Sequence, residues 1–283
     1  MPEGDTIYRA ARTLNLALGG QTVTSFESVL PHLSRVDVDQ GIVGRIVEKV
    51  EAQGKWMLMY FSGGLILLSH MLMSGSWHIY RPGETWKRNR YHMRVVVGTD
   101  KILAVAFNVP IAEFHTVESL GRREGFKSVG PSMLAQKFDE AEVIARLRSR
   151  PDLEIGVGLL TQSLLSGIGN VFKSEVCFAC GINPFQPVAT LTDENLACLV
   201  SQARKFMQAN VTEASGDRIV TYVPMRRTTG RANPSERLWV YKRNGEPCRR
   251  CGSVISSRKQ GFDARTSFWC PQCQPFVTKR AIA

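Results

Sequence analysis

Hydrophobic positions recur at helical spacing in the first eighteen residues and change to strand-like spacing soon afterwards. The apolar residues Ile7 to Leu18 recur every three or four positions until Gly19 and Gly20, which predicts a helix that Asp5 can cap. Beyond position 23 the apolar segments are short, rich in β-branched and aromatic residues, and partly separated by glycine or proline: 42–50, 56–61, 65–70, 93–97 and 102–107. This pattern predicts an antiparallel sandwich or barrel.

The second half of the chain is predicted to be mainly helical. A charged, glycine-containing stretch over 120–130 ends at Pro131 and indicates an interdomain linker. Helical spacing then follows over 133–148, 157–165, 171–179 and 192–211. A polar segment at 213–236 is predicted to be a long loop, and short strands are expected around the cysteines beyond 238. The predicted organisation is therefore a domain at 1–120, a linker at 121–132, a domain at 133–236 and a small module at 237–283.

Composition and charge limit the class of protein. Of 283 residues 43% are hydrophobic and 22% charged, no apolar run reaches membrane-spanning length, and the first residues do not resemble a secretory signal. We therefore expect a cytoplasmic protein and no membrane partner. The net charge is +11, of which residues 237–283 carry +8. Such a basic segment suits a phosphate backbone, and a merely soluble basic surface is the alternative.

Four cysteines near the end of the chain have the spacing of a metal site. Cys248 and Cys251 form one Cys-x2-Cys pair, and Cys270 and Cys273 form another, with 18 residues between the pairs. Two such turns can offer four thiolates to one tetrahedral ion, which predicts one structural zinc ion. Four incidental cysteines are the alternative.

The other three cysteines are interpreted differently. Cys177 and Cys180 could be a redox pair, but they fall on a predicted helix without the surrounding strand pattern, which favours apolar packing. Cys198 is predicted to be a core residue. The odd number of cysteines and the lack of a recognisable secretory signal argue against a secreted disulfide framework.

A glycine-rich turn separates two predicted helices. The residues Gly167-Ile168-Gly169-Asn170 permit a sharp turn, after which a helix starts with free backbone N–H groups beside Asn170. This arrangement could bind a phosphate, and an interhelical turn without a ligand is the alternative.

The chain as a whole resembles the formamidopyrimidine-DNA glycosylase and endonuclease VIII family. The resemblance rests on motifs spread along the chain in a fixed order: PEG at 2–4, KWMLMYF at 55–61, SHMLMSGSW at 69–77, GIGN at 167–170, GINP at 181–184, LWVYKRNGEPCRRCG at 238–252, and Arg265 ahead of FWCPQCQ. It implies an α+β fold, in which an N-terminal β-sandwich flanked by helices precedes a helix-two-turn-helix domain and a C-terminal zinc finger.

The resemblance also implies catalytic roles for four residues. After removal of the initiator methionine, Pro2 would attack the sugar as a secondary amine, and Glu3 would move protons. Lys55 would assist elimination and contact a phosphate, and Arg265 would clamp the phosphates around the lesion. The alternatives are a frayed terminus for Pro2 and Glu3, a strand-edge charge for Lys55, and a hairpin-stabilising role for Arg265.

Three more residues are implied to contact DNA. Met73 would fill the gap left by a flipped base, with a core methionine as the alternative. His92 would contact a backbone phosphate, and Asn170 would hold the DNA backbone. The implied partner is damaged double-stranded DNA, bound by a monomer.

Two departures from the purine-specific branch bear on the substrate. The stretch 107–114 lacks an Arg-Arg-Phe-Gly element, and Gly4-Asp5-Thr6 stands where Leu-Pro-Glu is common. Both favour an endonuclease VIII-type DNA glycosylase and AP lyase acting on oxidised pyrimidines, with segment 213–236 influencing base choice. The alternatives are a formamidopyrimidine/8-oxoguanine glycosylase and, in another class, a non-catalytic zinc-finger DNA-binding protein.

Overall fold

The computed structural model describes residues 2–212, 228 and 237–277 of the chain. Two units can be distinguished, whose described parts are residues 2–128 and residues 129–212, 228 and 237–277. Within these ranges, no helix combines the length and the apolar character needed to cross a membrane. The long loop predicted over 213–236 lies, apart from Thr228, outside the described residues.

The first unit contains three helices and eight strands among its described residues. The helices are α1 (Gly4–Leu18), α2 (Pro31–Gln40) and α3 (Val117–Arg122). The strands are β1 (Ser25–Ser28), β2 (Val47–Gln53), β3 (Trp56–Phe61), β4 (Leu65–His70), β5 (Ser76–Tyr80), β6 (Met93–Gly98), β7 (Leu103–Phe107) and β8 (Ile111–His115). A short 3-10 turn, Arg90–His92, precedes β6.

The strands form a β-sandwich, as predicted. One antiparallel sheet has the order β1-β6-β7-β5 and the other β2-β3-β4-β8. Their inner faces share one apolar core, in which Met57 and Met59 of β3 lie with Val95 and Val97 of β6. Helix α1 contributes its apolar stripe to the same core, including Leu14, which has no exposed surface. The predicted α+β class, with helices flanking an N-terminal sandwich, is confirmed.

Several boundaries differ from the sequence-based prediction. Residues 31–40, expected within an all-strand region, form α2, because Pro31 starts the helix and Gly41 ends it with a φ of 62°. Only Leu33 of that helix is buried, so it has no apolar periodicity that could reveal it. The strand expected over 42–50 begins at Val47. Asp5 lies inside the first turn of α1, whose N-cap is Glu3.

The second unit packs helices around its own core and ends in a hairpin. Its elements are α4 (Glu140–Arg148), α5 (Ile155–Leu160), α6 (Asn170–Ala179), α7 (Asp193–Thr212), β9 (Ser256–Gln260) and β10 (Arg265–Trp269). The helices expected over 171–179 and 192–211 agree with α6 and α7 within one residue. The helix expected from 133 begins only at Glu140, since Asp139 caps it by accepting the Glu142 N–H at 3.1 Å. The helix expected over 157–165 is α5, which starts and ends earlier.

A disulfide joins Cys180, at the end of α6, to Cys198 of α7. The prediction that these two cysteines are packing residues was therefore wrong. The chain brings their Cα atoms to 6.1 Å, a distance that a disulfide can span, although 18 positions separate them in sequence. Cys177 is a buried free thiol as expected, and burial raises its pKa to about 12.

Candidate functional site

The beginning of the chain is anchored to the first unit through α1. The Glu3 carbonyl accepts the backbone N–H groups of Thr6 and Ile7 at 3.0 and 3.1 Å. The Glu3 side chain has no exposed surface, unlike that of a frayed terminus. Further along α1, the Asn15 side chain accepts the Val50 N–H at 2.7 Å and so fixes the helix to β2. Pro2, directly before this helix, is half-buried.

A buried ion pair lies within α1, between residues that follow Glu3 in the chain. Asp5 is fully buried, its Oδ2 is 3.8 Å from Arg9 Nη2, and its Oδ1 accepts the Thr6 hydroxyl at 3.3 Å. Burial of an acid is tolerable here because a cation and a hydroxyl accompany it. Sequence reasoning assigned no such pair, although the spacing of four residues along one helix face could have indicated it.

Lys55 lies in the two-residue loop between β2 and β3. The pairing of Gln53 with Trp56 leaves Gly54 and Lys55 as the turn, and Gly54 has a φ of 60°, which favours glycine. Trp56 in turn pairs with His70 at the end of β4. The β2–β3 turn and the end of β4 therefore lie at the same end of the sheet.

His70 is a residue that sequence reasoning did not single out. Burial, and secondarily the positive charges of Lys55 and Arg123, lower its pKa to about 4, so its ring is neutral at pH 7. Its Nδ1 accepts the Leu72 N–H at 3.0 Å, which places the ring proton on Nε2. The position of His70 within the motif at 69–77 was the one available signal.

Arg123 is a second residue that only the structure reveals. Its guanidinium donates to both carboxylate oxygens of Glu113, at 3.0 and 2.9 Å, and lies 4.7 Å from the Trp56 ring centroid. The hydrogen bond from Arg123 is the main reason that the pKa of Glu113 falls to about 2. The end of the sheet that bears Lys55 thus also carries His70 and a fixed guanidinium.

Met73 lies in the tight loop 71–75 between β4 and β5. Its side chain is 61% exposed, so it is not the core methionine of the alternative interpretation. The loop closes where the Gly75 N–H donates to the Met71 carbonyl at 2.8 Å. Leu72 has a φ of 44°, which is unusual for a branched residue.

His92 is half-buried in the 3-10 turn, and the centroid of its ring lies 5.5 Å from that of the Tyr91 ring.

The stretch that lacks the Arg-Arg-Phe-Gly element is a short connection. Only Asn108, Val109 and Pro110 separate β7 from β8, and Asn108 takes a φ of 50° at the turn. Val109 is fully buried. The connection is therefore short and has few side chains that could contact a base.

In the second unit, the four cysteines come together. The sulfur atoms of Cys248, Cys251, Cys270 and Cys273 all lie within 4.8 Å of one another. Sulfurs about 2.3 Å from a central zinc ion would be about 3.8 Å apart, so the cluster fits a tetrahedral site. Hydrogen bonds from Ser253 lower the pKa of Cys251, whereas burial raises those of Cys270 and Cys273. A cation is what would allow all four to be thiolates.

Helix α6 holds the hairpin that carries Arg265. The Asn170 side-chain N–H donates to the Thr266 carbonyl at 2.8 Å, and the Ser174 hydroxyl accepts the Phe268 N–H at 3.5 Å. Asn170 is 8% exposed, so its amide faces the hairpin. Arg265, at the start of β10, is exposed.

Glu175 of α6 fixes the segment before the cysteines. It is fully buried and accepts the backbone N–H groups of Trp239, Val240 and Tyr241 at 2.8, 2.9 and 2.9 Å, together with the Thr228 hydroxyl. Burial raises its pKa, and these four hydrogen bonds oppose that rise.

Comparison with known proteins matches this architecture along most of the chain. Residues 1–110 match the formamidopyrimidine-DNA glycosylase N-terminal domain, residues 129–221 its H2TH domain, and residues 245–275 the zinc finger found in FPG and IleRS.

The chain belongs to the formamidopyrimidine-DNA glycosylase and endonuclease VIII family.

Its relatives include a probable endonuclease 8 2 of Streptomyces coelicolor, 38% identical over 97% of this chain and 94% of that protein. A DNA-(apurinic or apyrimidinic site) lyase Nei2 of Mycolicibacterium smegmatis is 32% identical over 97% of this chain and 99% of its own. The fold of this family member matches Lactococcus lactis Fpg, solved in complex with DNA containing an abasic site. That match has a TM-score of 0.78 at 22% identity and covers 96% of this chain and 99% of the other. The predicted family, H2TH domain and zinc finger are confirmed.

Proposed function

We propose that this protein is a bifunctional DNA glycosylase and AP lyase of base excision repair, of the endonuclease VIII type. Family membership supports the activity, and one observation supports the assignment of residues. Pro2 and the N-cap residue Glu3 directly precede α1, a helix that the Asn15–Val50 hydrogen bond fixes to β2, and β2 ends in the turn that carries Lys55. The proposed nucleophile and the proposed phosphate-binding lysine thus belong to adjoining elements.

Pro2 is the proposed nucleophile. An α-amine has a pKa of about 7.7–8.0 against about 10.4 for lysine, so far more of it is unprotonated at neutral pH. The nitrogen lone pair attacks the sugar C1′, the C1′–base bond breaks, and the base leaves with a proton. The C1′–O4′ bond then breaks, O4′ takes a proton, and the nitrogen lone pair forms an iminium with C1′. The iminium acidifies C2′, whose proton is lost as the 3′ phosphate leaves. Loss of the 5′ phosphate follows by δ-elimination.

Glu3 and Lys55 support these steps. The Glu3 carboxyl, beside the nucleophile and shielded from water, transfers protons during sugar opening and later steps. Lys55 assists elimination and binds the flanking phosphate. His70, with a proton on Nε2 and its pKa lowered to about 4, offers a neutral donor at the same end of the sheet.

The remaining site residues are proposed to bind DNA. Arg265 clamps the phosphates around the lesion and assists δ-elimination. Met73, exposed on a tight loop, fills the gap left by the flipped base. His92 contacts a backbone phosphate. Asn170 helps to hold the DNA backbone in two ways. It begins α6, whose first N–H groups can bind a phosphate, and its side chain holds Thr266 of the hairpin in place.

The metal, assembly and location complete the proposal. The four cysteines hold one structural zinc ion, which orders the module that presents Arg265. The protein acts on damaged duplex DNA as a monomer in the cytoplasm.

Oxidised pyrimidines are the proposed substrates. The short connection between β7 and β8, in which Val109 is buried and which lacks an Arg-Arg-Phe-Gly element, supports this choice. An 8-oxoguanine glycosylase is the alternative within the family, and a non-catalytic DNA-binding protein is the alternative outside it.

Borohydride trapping on DNA with an abasic site tests the proposal. The protein should be trapped covalently, and peptide mapping should place the linkage on Pro2. Pro2→Ala should lose most of the trapped product, whereas Lys55→Met should still be trapped. Undiminished trapping with the linkage on Lys55 would refute the nucleophile, and binding without any trapping would favour the non-catalytic alternative.

A further inference from the structure

Helix α6 contains a lysine that the proposed reaction does not use. Lys173 has no exposed surface, although a lysine side chain is seldom fully buried unless it is paired. Its Nζ donates to the Ser267 hydroxyl of β10 at 2.6 Å. Ser267 is itself fully buried. A buried ammonium therefore contacts the middle of the strand that Arg265 begins.

This contact continues as a chain of hydrogen bonds with one direction. The Ser267 hydroxyl donates to Gln260 Oε1 of β9. Gln260 Nε2 donates to Glu154 Oε2 at 2.8 Å and to the Pro184 carbonyl at 2.7 Å. Every donor points away from the Lys173 ammonium and towards the Glu154 carboxylate, so each bond polarises the next.

The chain passes beside Arg265. In the hairpin, Gln260 is the direct cross-strand partner of Arg265, and Ser267 follows Arg265 by two positions on the same face. Gln260 can approach α5 this closely because position 156 is glycine: a Cβ there would lie 2.5 Å from Gln260 Oε1. The backbone that carries Arg265 is thus fixed from both strands.

We propose that Lys173 is a positioning residue, which acts through Ser267 and Gln260 to hold the hairpin in the orientation that presents Arg265 to a DNA phosphate. The inference rests on the proposed role of Arg265. Without the ammonium, Ser267 has no cationic donor that fixes its hydroxyl towards Gln260, and the direction of the whole chain is lost. Arg265 then spends less time in the orientation that binds phosphate, without being altered itself.

A double-mutant cycle on DNA affinity distinguishes this role from general stabilisation. The variants are Lys173→Met, Arg265→Ala and their combination, with abasic-site duplex as the probe and a series of salt concentrations. Lys173→Arg keeps a cation in the helix. Lys205→Met removes the same charge from an exposed position on α7 and is the matched control. Zinc content reports whether the module remains folded.

Arg265→Ala should weaken binding by about ten- to a hundredfold, because hydrogen bonds between charged groups are strong. Lys173→Met should weaken it about three- to tenfold and lower the salt slope by up to about 0.9, the value for one phosphate contact. In the Arg265→Ala background the same change should cost less than about twofold, since the residue that it positions is absent. Lys173→Arg should restore most of the affinity, and Lys205→Met should bind normally.

Three outcomes would overturn the inference. The first is normal DNA affinity of Lys173→Met. The second is a loss of affinity from Lys173→Met that is equally large with and without Arg265, because Lys173 would then stabilise the protein independently of Arg265. If Arg265→Ala alone binds normally, the proposed role of Arg265 is wrong as well. Should Lys173→Met lose its zinc, the same cycle with Ser267→Ala decides, because that change removes the bridging hydroxyl and retains the lysine.

Discussion

Replacing Gly75 by alanine should impair removal of a base that is still paired while sparing the chemistry on an abasic site. Gly75 closes the loop that carries Met73 through its N–H bond to the Met71 carbonyl. A Cβ at position 75 would lie 2.6 Å from the Met71 carbonyl oxygen and 2.8 Å from the Met71 Cα. Both are backbone atoms, so no side-chain rotation can relieve the contact and the loop must open.

The size of the effect follows from this contact. Forcing one extra carbon into a tightly packed site costs about 1–3 kcal/mol. The loop already holds Leu72 at a φ of 44°, so it has little freedom to absorb the shift. We expect the free energy of unfolding of the first unit to fall by that amount. If the transition state for excision loses the same ~1–3 kcal/mol of stabilisation by Met73, excision slows by about 5- to 150-fold.

Single-turnover excision of one lesion in duplex and in single-stranded DNA is the assay, together with incision of an abasic site. A base in a single strand need not be extruded, and an abasic site has none to extrude, so both should react at nearly the normal rate. Met73→Ala should show the same selective defect without the loss of stability. Gly121→Ala is the matched control, because a Cβ at that exposed position of α3 meets nothing within 4 Å. It should raise stability by up to about 1 kcal/mol.

Two results would refute this reasoning. If Gly75→Ala is destabilised but removes paired bases normally, the shape of the loop does not matter to Met73. If abasic-site incision falls as much as duplex excision, the loop serves the chemistry and not base extrusion.

Four further predictions test other parts of the proposal. Cys251→Ser should lose zinc, measured by metal analysis, and should lose DNA binding. The first unit should stay folded, so the β-sheet signal in circular dichroism should be retained. Glu3→Gln should bind lesion DNA with near-normal affinity in titrations but excise bases far more slowly in single-turnover assays. Because the folded pKa of His70 is lowered from 6.5 to about 4, its neutral form favours the folded state above pH 6.5, and that contribution, up to about 3 kcal/mol, is lost as the pH falls towards 4. Urea unfolding at several pH values should therefore show a flatter acid dependence for His70→Gln. Thymine glycol should be cleaved faster than 8-oxoguanine opposite cytosine, and the reverse order would assign the protein to the purine-specific branch.

The sequence by itself determined the elements whose signals are local. Helix α1, the strands β3 and β4, and helices α6 and α7 were predicted within one or two residues, because their apolar periodicity and terminating residues lie within the elements themselves. The cysteine pairs predicted the zinc module for the same reason, since two residues of spacing place two thiolates on one turn. The ordered motifs then identified the family.

Only the tertiary structure decided which residues meet across long separations. The Cys180–Cys198 disulfide was mispredicted, and helix α2, with one buried residue, carried no periodic signal. The spacing of residues could not predict that Arg123 pairs with Glu113, or that the His70 ring is neutral. The ion pair and the lowered pKa of His70 follow from the packing around these side chains.

The buried path from Lys173 to Glu154 shows the physical reason most clearly. In the sequence alone, Lys173 is an ordinary polar residue of a predicted helix, and Ser267 is a serine near the cysteines, where short strands are expected. Their contact exists because α6 packs against the hairpin, and folding supplies the Ser267 hydroxyl that accepts a hydrogen bond from the buried ammonium. Local sequence patterns fix which elements form, whereas the cost of burying a charge is set by partners that only the folded chain brings within reach.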